Sequence, residues 1–121
     1  MANSREDLEK KLAALEQRAT EGDAKVASRQ RAEGKLTARE RIHNLLDPGS
    51  FVEEFMLAET QCTDFGMAEK KLPSDGVVTG FGKIDSRPVY VFSQDRAVLA
   101  GTVGSAHAEK IAYVIQTARK L

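Results

Sequence analysis

Apolar positions change their spacing along this chain, and each change marks an element. Leu8, Leu12 and Leu15 recur at the three- and four-residue spacing of one helix face. Ser4 with Asp7 has the form of a capping box just before them, and Glu6 and Lys10 can pair across one turn. A first helix is therefore predicted over about 5–20, ended by Glu21-Gly22-Asp23. Its apolar stripe is narrow and its other faces are charged, which suits an arm lying on a larger body.

Residues 24–34 are basic and weakly patterned, with Lys25, Arg29 and Arg31 spaced through Ala, Ser and Gln; they read as a solvated helix or linker rather than a phosphate-contacting surface. Thr37 with Glu40 forms a second capping box, and Ile42, Leu45 and Leu46 supply the buried side of a short helix that the Asp47-Pro48-Gly49-Ser50 turn stops. Arg39 and Arg41 stand in the first turns of that helix, where the dipole favours acids. That misfit implies either a functional role or salt bridges to a neighbouring element. Phe51 to Phe55 reads as a short strand packed by its aromatics, and the pattern then weakens between Met56 and Pro73, around the apolar island Phe65-Gly66-Met67.

The β-rich run Val77 to Ile84 contains Gly80 and Gly82, which imply a close backbone approach or a bulge. Asp85-Ser86 turns the chain into a second strand, Val89-Tyr90-Val91-Phe92, so an antiparallel hairpin is predicted. Continuous apolarity predicts that this second strand is buried on both faces, which a lone hairpin cannot provide. Ala108, Ile111, Ala112, Ile115 and Ala118 then repeat as one face of a helix from Ser105 to the chain's last residue. The sequence thus divides into a helical arm (1–34), a helical cap and loop (35–74) and an α/β unit of ββα form (75–121). Having no finishing cap and an unfinished sheet, it reads as incomplete as a domain on its own.

Composition narrows the function classes. With 121 residues there is room for one modest domain, and 18 basic against 18 acidic residues leave no net field to attract nucleic acid or an anionic membrane. Cys62 is the single cysteine, so an internal disulfide and a thiolate zinc site are both excluded. The charged N-terminus has no secretory apolar region, and no run is long enough to span a bilayer, so a cytoplasmic chain is expected, or one from an organellar matrix.

Candidate chemistry is sparse. Gly101-Thr102-Val103-Gly104 before a helix start has the form of a turn whose free N–H groups meet an anion, though it is neither a Walker A sequence nor a full dinucleotide fingerprint. His43 and His107 each lack a second His or Cys at ligand spacing and read as structural or surface histidines, and Cys62 reads as a passive thiol. Gln94-Asp95-Arg96 can pair internally or orient a loop. Neither a triad, a paired-carboxylate site nor a metal site emerges.

Four stretches, GKLTARERIHNLLDPGSFVE (34–53), FGM (65–67), PSDGVVTGFGKIDSRPVYVFSQD (73–95) and GSAHAEKI (104–111), resemble the carboxyltransferase subunit of biotin-dependent acyl-CoA carboxylases in its N-terminal part. The likeness extends to the propionyl-CoA carboxylase β subunit, the acyl-CoA half of transcarboxylase and sodium-pumping decarboxylases. It implies a crotonase (ClpP)-like fold of stacked ββα turns, and carboxyl transfer between carboxybiotin on a carrier protein and an acyl-CoA. It further implies a remaining carboxyltransferase chain or domain, a biotin carrier protein and a biotin carboxylase as partners, a homo- or hetero-oligomer, and indirect membrane association if the relative is a decarboxylase pump. By position it places Lys35, Arg39, Ala100, Gly101 and Gly104 near the CoA nucleotide and pantetheine, with no catalytic residue in this chain. Where relatives usually read QDFTVFGGS, this chain reads QDRAVLAGT, so Arg96 and Ala100 depart from the pattern. The competing expectation is a non-catalytic binding or assembly module derived from that fold.

Overall fold

The computed structural model describes residues 4–21, 24–59, 76–95 and 105–121. Among them the elements run α1 (Arg5–Glu21), α2 (Ala24–Ala32), α3 (Ala38–Leu45), β1 (Val52–Glu54), β2 (Val77–Ile84), β3 (Arg87–Gln94) and α4 (Ser105–Lys120). None of these helices is long and apolar enough to cross a membrane.

Local chemistry explains the helix ends. The Asp7 amide donates to Ser4 Oγ at 3.2 Å while the Ser4 amide donates to Asp7 Oδ2 at 3.3 Å, so the first capping box closes in both directions. Lys10 meets Glu6 at 2.8 Å and Arg5 meets Glu9 at 2.7 Å along the exposed face. Residues 24–32 form a helix, and its end is a Schellman motif: Gly34 at φ +75° donates to Arg31 O, and the Lys35 amide reaches back to Gln30 O at 2.8 Å. Thr37 and Glu40 close the second capping box.

β2 is the centre of the sheet. It pairs antiparallel with β1 on one edge (Val52 opposite Phe81) and with β3 on the other (Val77 opposite Gln94, Ile84 opposite Arg87), in the order β1-β2-β3. The two-residue turn between β2 and β3 puts Asp85 and Ser86 at φ 49° and 66°, the backbone that matches the twist of a tight hairpin. The loop after α3 stabilises those two left-handed residues, because the Asp47 carboxylate accepts from both of their amides at 2.9 and 2.8 Å.

Side-chain alternation assigns the two faces. Val78 and its neighbours Val89 and Val91 pack with Ala38, Ile42 and Leu46 of the α3 region, joined by Phe51 and Ile84. α4 lies against the opposite face, where Lys110 bonds Val77 O and His107 meets Gln94. The glycines of β2 serve close approach, and the β2–β3 register runs through them unbroken. A Cβ on Gly80 would lie 2.1 Å from Val52 O, and one on Gly82 would lie 2.7 Å from Leu46 Cδ1.

Three sequence expectations are corrected. β3 is half-buried rather than buried on both faces, and Phe92 stays 45% exposed, because β1 adds to the far edge of β2 and leaves β3 at the sheet's edge. Total burial falls instead on Val77, Val78 and Thr79 of β2. Leu45 of α3 is exposed, and Ala38 takes its place in the core. Most sharply, α4 is rotated by about one residue, ~100° around its axis, from the predicted apolar face. Ala106, His107, Lys110 and Val114 point inward, while Ala108, Ala112, Ile115 and Ala118 face out.

The glycine contacts rank two substitutions. Gly80→Ala is expected to cost about 3 kcal/mol, because its clash is with backbone, and Gly82→Ala about 1 kcal/mol, because the Leu46 methyl can move. Urea midpoints of the two variants check the order, and equal losses would refute the close-approach account.

Candidate functional site

A cavity of about 240 Å³ opens where α1, α2 and α3 meet the end of β3. Thr20 and Glu21 close one side, Ala27 and Arg31 a second, Thr37 to Glu40 with His43 a third, and Asp95 the last. Its charges are largely matched internally. Arg31 Nε meets Glu40 Oε1 at 2.7 Å, and the Thr37 amide donates to Glu40 Oε2 at 2.8 Å. The Asp95 amide donates to Gly76 O at 2.7 Å, fixing the end of β3 beside the cavity. The Thr37 backbone hydrogen bond, then the Arg31 guanidinium, hold the Glu40 carboxyl below its ordinary value.

Arg39 is the hub of this region. Its Nη1 bonds Glu53 Oε2, its Nη2 bonds Glu53 Oε1 at 2.9 Å and also reaches Ala19 O at 3.4 Å. Both side chains are largely removed from water, at 15% and 6% exposure. Planar two-point pairing is the geometry for which a guanidinium is suited. The arginine that stands against the α3 dipole is therefore explained by a salt bridge to β1. Arg39 Nε lines no acceptor among the described residues.

Lys35 stands outside the cavity lining, on the exposed turn between α2 and α3, with its ammonium 2.9 Å from Glu33 Oε2. Its side chain is half open to solvent. Of the other residues expected near CoA, Ala100, Gly101 and Gly104 lie outside the described residues, as do Cys62, Arg96 and the 65–67 island. His43 is exposed and meets Phe51 edge-on, ring centroids 6.1 Å apart. His107 is fully buried, with Nε2 3.4 Å from Gln94 Nε2.

Sequence reasoning missed Glu53 and Lys110. Glu53 sits in a strand where polarity usually marks the outward face, yet it points to Arg39. Lys110 is 3% exposed and donates to Val77 O at 2.5 Å. It borders a second cavity of about 270 Å³ between α4 and the chain after β1, lined by Phe55, Ala58, Ala106 and Tyr113. Phe55, at φ 60°, meets Tyr113 edge-on there, with centroids 4.8 Å apart. Among the described residues, no group of three or more His, Cys, Asp or Glu side chains is placed to hold a metal.

The family model for the carboxyl transferase domain matches residues 29–121, most of the chain. The chain belongs to the carboxyl transferase domain family. It is 57% identical to the human mitochondrial propionyl-CoA carboxylase beta chain over 91 residues, covering 74% of this chain and 17% of that one. To the methylmalonyl-CoA decarboxylase subunit alpha of Propionigenium modestum it is 46% identical over 116 residues, 96% of this chain and 22% of that one. A crystal structure of transcarboxylase 12S with methylmalonyl-coenzyme A and methylmalonic acid bound superposes with a TM-score of 0.90 at 38% identity, over 97% of this chain and 23% of that one. The chain thus spans about a fifth of the length of these relatives. Its β2-β3-α4 unit is the ββα element of the crotonase-like carboxyltransferase fold.

Two expectations follow from the geometry. Arg39→Ala or Glu53→Ala is expected to cost about 3–5 kcal/mol, since each leaves its partner's charge buried and unpaired. The double variant should lose clearly less than the sum, and strict additivity in urea titrations would show that the pair is not coupled. Because Glu40 has a lowered folded value, the folded state binds fewer protons than the unfolded one just below the ordinary glutamate value of 4.5. The stability it contributes is present above that value and is lost as pH falls through the folded one. Glu40→Gln should flatten this part of the pH–stability curve, and an unchanged acid limb would contradict the assignment.

Proposed function

We propose that this chain contributes the acyl-CoA side of a biotin-dependent carboxyl transfer, with propionyl-CoA or methylmalonyl-CoA as the thioester. The observation supporting this reading is the likeness, over nearly all of its length, to transcarboxylase 12S with methylmalonyl-coenzyme A bound. Identity above one half to the propionyl-CoA carboxylase beta chain points to the same substrate class.

The roles assigned to its residues follow from their chemistry. Lys35 is the cation open to an incoming phosphate, since an exposed ammonium can exchange Glu33 for a CoA phosphate at little cost. Arg39, already occupied by Glu53, acts by positioning: it holds α3 and β1 so that the cap keeps its shape beside the nucleotide. Ala100, Gly101 and Gly104 are assigned to the approach of the pantetheine arm, where small residues admit a ligand close to backbone. Biotin, delivered on a carrier protein and charged by a biotin carboxylase, supplies the carboxyl group. The described cations suit CoA's phosphates rather than biotin's neutral ring. Stabilisation of the thioester enolate needs paired N–H donors, and these are assigned to the remainder of the carboxyltransferase.

Lys35→Glu in the assembled protein is expected to raise the KM for methylmalonyl-CoA about tenfold, one ionic hydrogen bond's worth, with kcat nearly unchanged. Carboxyl exchange between methylmalonyl-CoA and biotin is the assay. An unaltered KM would remove Lys35 from the site. Failure of any assembly containing this chain to exchange carboxyl groups would favour the non-catalytic module.

A further inference from the structure

The stripe on α1 is uncovered by the described residues. Leu8, Leu12 and Leu15 are 54%, 47% and 42% exposed, and only at Ala19 does α1 enter the body, buried beside Arg39. Three leucines in line on one short helix form a seam that calls for a facing helix. Spacings of four and three residues place Leu8 and Leu15 at heptad position d and Leu12 and Ala19 at position a. The flanking positions are then Glu9 and Glu16 on the e side and Lys11 and Arg18 on the g side.

This arrangement is directional. When two such helices run parallel, g of one copy faces the following e of the other, so Lys11 meets Glu16 of the second copy, twice by symmetry. When they run antiparallel with Leu12 opposite Leu15, g faces g and e faces e. Lys11 then meets Arg18 and Glu9 meets Glu16, like against like. Intrahelical pairs do not compete for the parallel contact, since Arg5–Glu9 and Lys10–Glu6 engage neither Lys11 nor Glu16. Arg5 on Glu9 softens the antiparallel repulsion, so the direction rests on the Lys11–Glu16 attraction.

We propose that α1 is an interaction surface for the α1 of a second copy of this chain, in a parallel two-stranded coil with the Leu8, Leu12 and Leu15 layers each facing their own counterparts. Helices of this length are marginal as isolated coils, so the seam joins copies whose bodies also contribute contact. It sets their relative direction by charge.

The test uses the full chain with Cys62→Ser, so that every introduced thiol is unique. Under mild oxidation Leu12→Cys should form a disulfide-linked dimer, and so should Leu15→Cys, while Ala14→Cys on the outer face should not. In sedimentation velocity, Lys11→Glu or Glu16→Lys should weaken self-association roughly three- to fivefold, two ionic pairs' worth, and the double swap should restore it. Three results would overturn the proposal. One is absence of cross-linking at Leu12 and Leu15. Another is preferential cross-linking of Leu12→Cys to Leu15→Cys in a mixture, which is the antiparallel arrangement. The third is a thermal midpoint of Leu12→Asp well below that of the wild-type chain at a dilution where both are monomeric, which would show that this chain's own body covers the stripe. None of these readouts depends on acyl-CoA binding.

Discussion

The pair between Arg39 and Glu53 is the constraint on which the described architecture turns. It links α3 to β1 directly, and through Ala19 O it also reaches the end of α1. A guanidinium and a carboxylate withdrawn from water must satisfy one another, so the relative position of these elements is sharply defined even where little apolar area holds them. With β1 fixed in this way, its backbone lies against β2 at Gly80, where any side chain would collide with Val52 O. β2 thereby becomes the central strand, and among the described residues its Val77, Val78 and Thr79 are fully buried.

The two sides of the sheet are built differently. Toward α3 the contacts are aliphatic and aromatic, with Ile42, Leu46, Val78 and Phe51 closing around the small Ala38. Toward α4 they are substantially polar: Lys110 donates to Val77 O, and His107 lies beside Gln94. Buried polar groups of this kind demand fixed partners, which sets the rotation of a helix more firmly than a greasy face does. The consequence is an outer face of α4 with Ile115 exposed. In the carboxyl transferase domain family this unit is a small part of a much longer chain.

Local chemistry made much of this readable in advance. The capping boxes at Ser4–Asp7 and Thr37–Glu40, the Asp85-Ser86 hairpin and the close-approach glycines are all encoded within a few residues, where short-range hydrogen bonding and sterics decide the outcome. Apolar period also located α1, α3 and α4, because a helix must bury a stripe somewhere. Period alone failed on α4. His107 and Lys110 carry no hydrophobic signal, so the inward face was taken to be the one with the most alanine and isoleucine. Likewise the run Val89 to Phe92 is apolar enough for a central strand, but nothing within it says which edge of the hairpin the next strand will join.

By itself, then, the sequence determined α1, α3, α4, the β hairpin with its turn residues, the two capping boxes and membership of the carboxyltransferase family, since those depend on contacts between near neighbours or on motifs of fixed order. Only the tertiary structure decided that Arg39 is spent on Glu53, that β2 rather than β3 is central, and that α4 turns a lysine and a histidine inward. Those outcomes join residues 13 to 33 positions apart. They depend on desolvated charges finding partners across the fold, which no local pattern records.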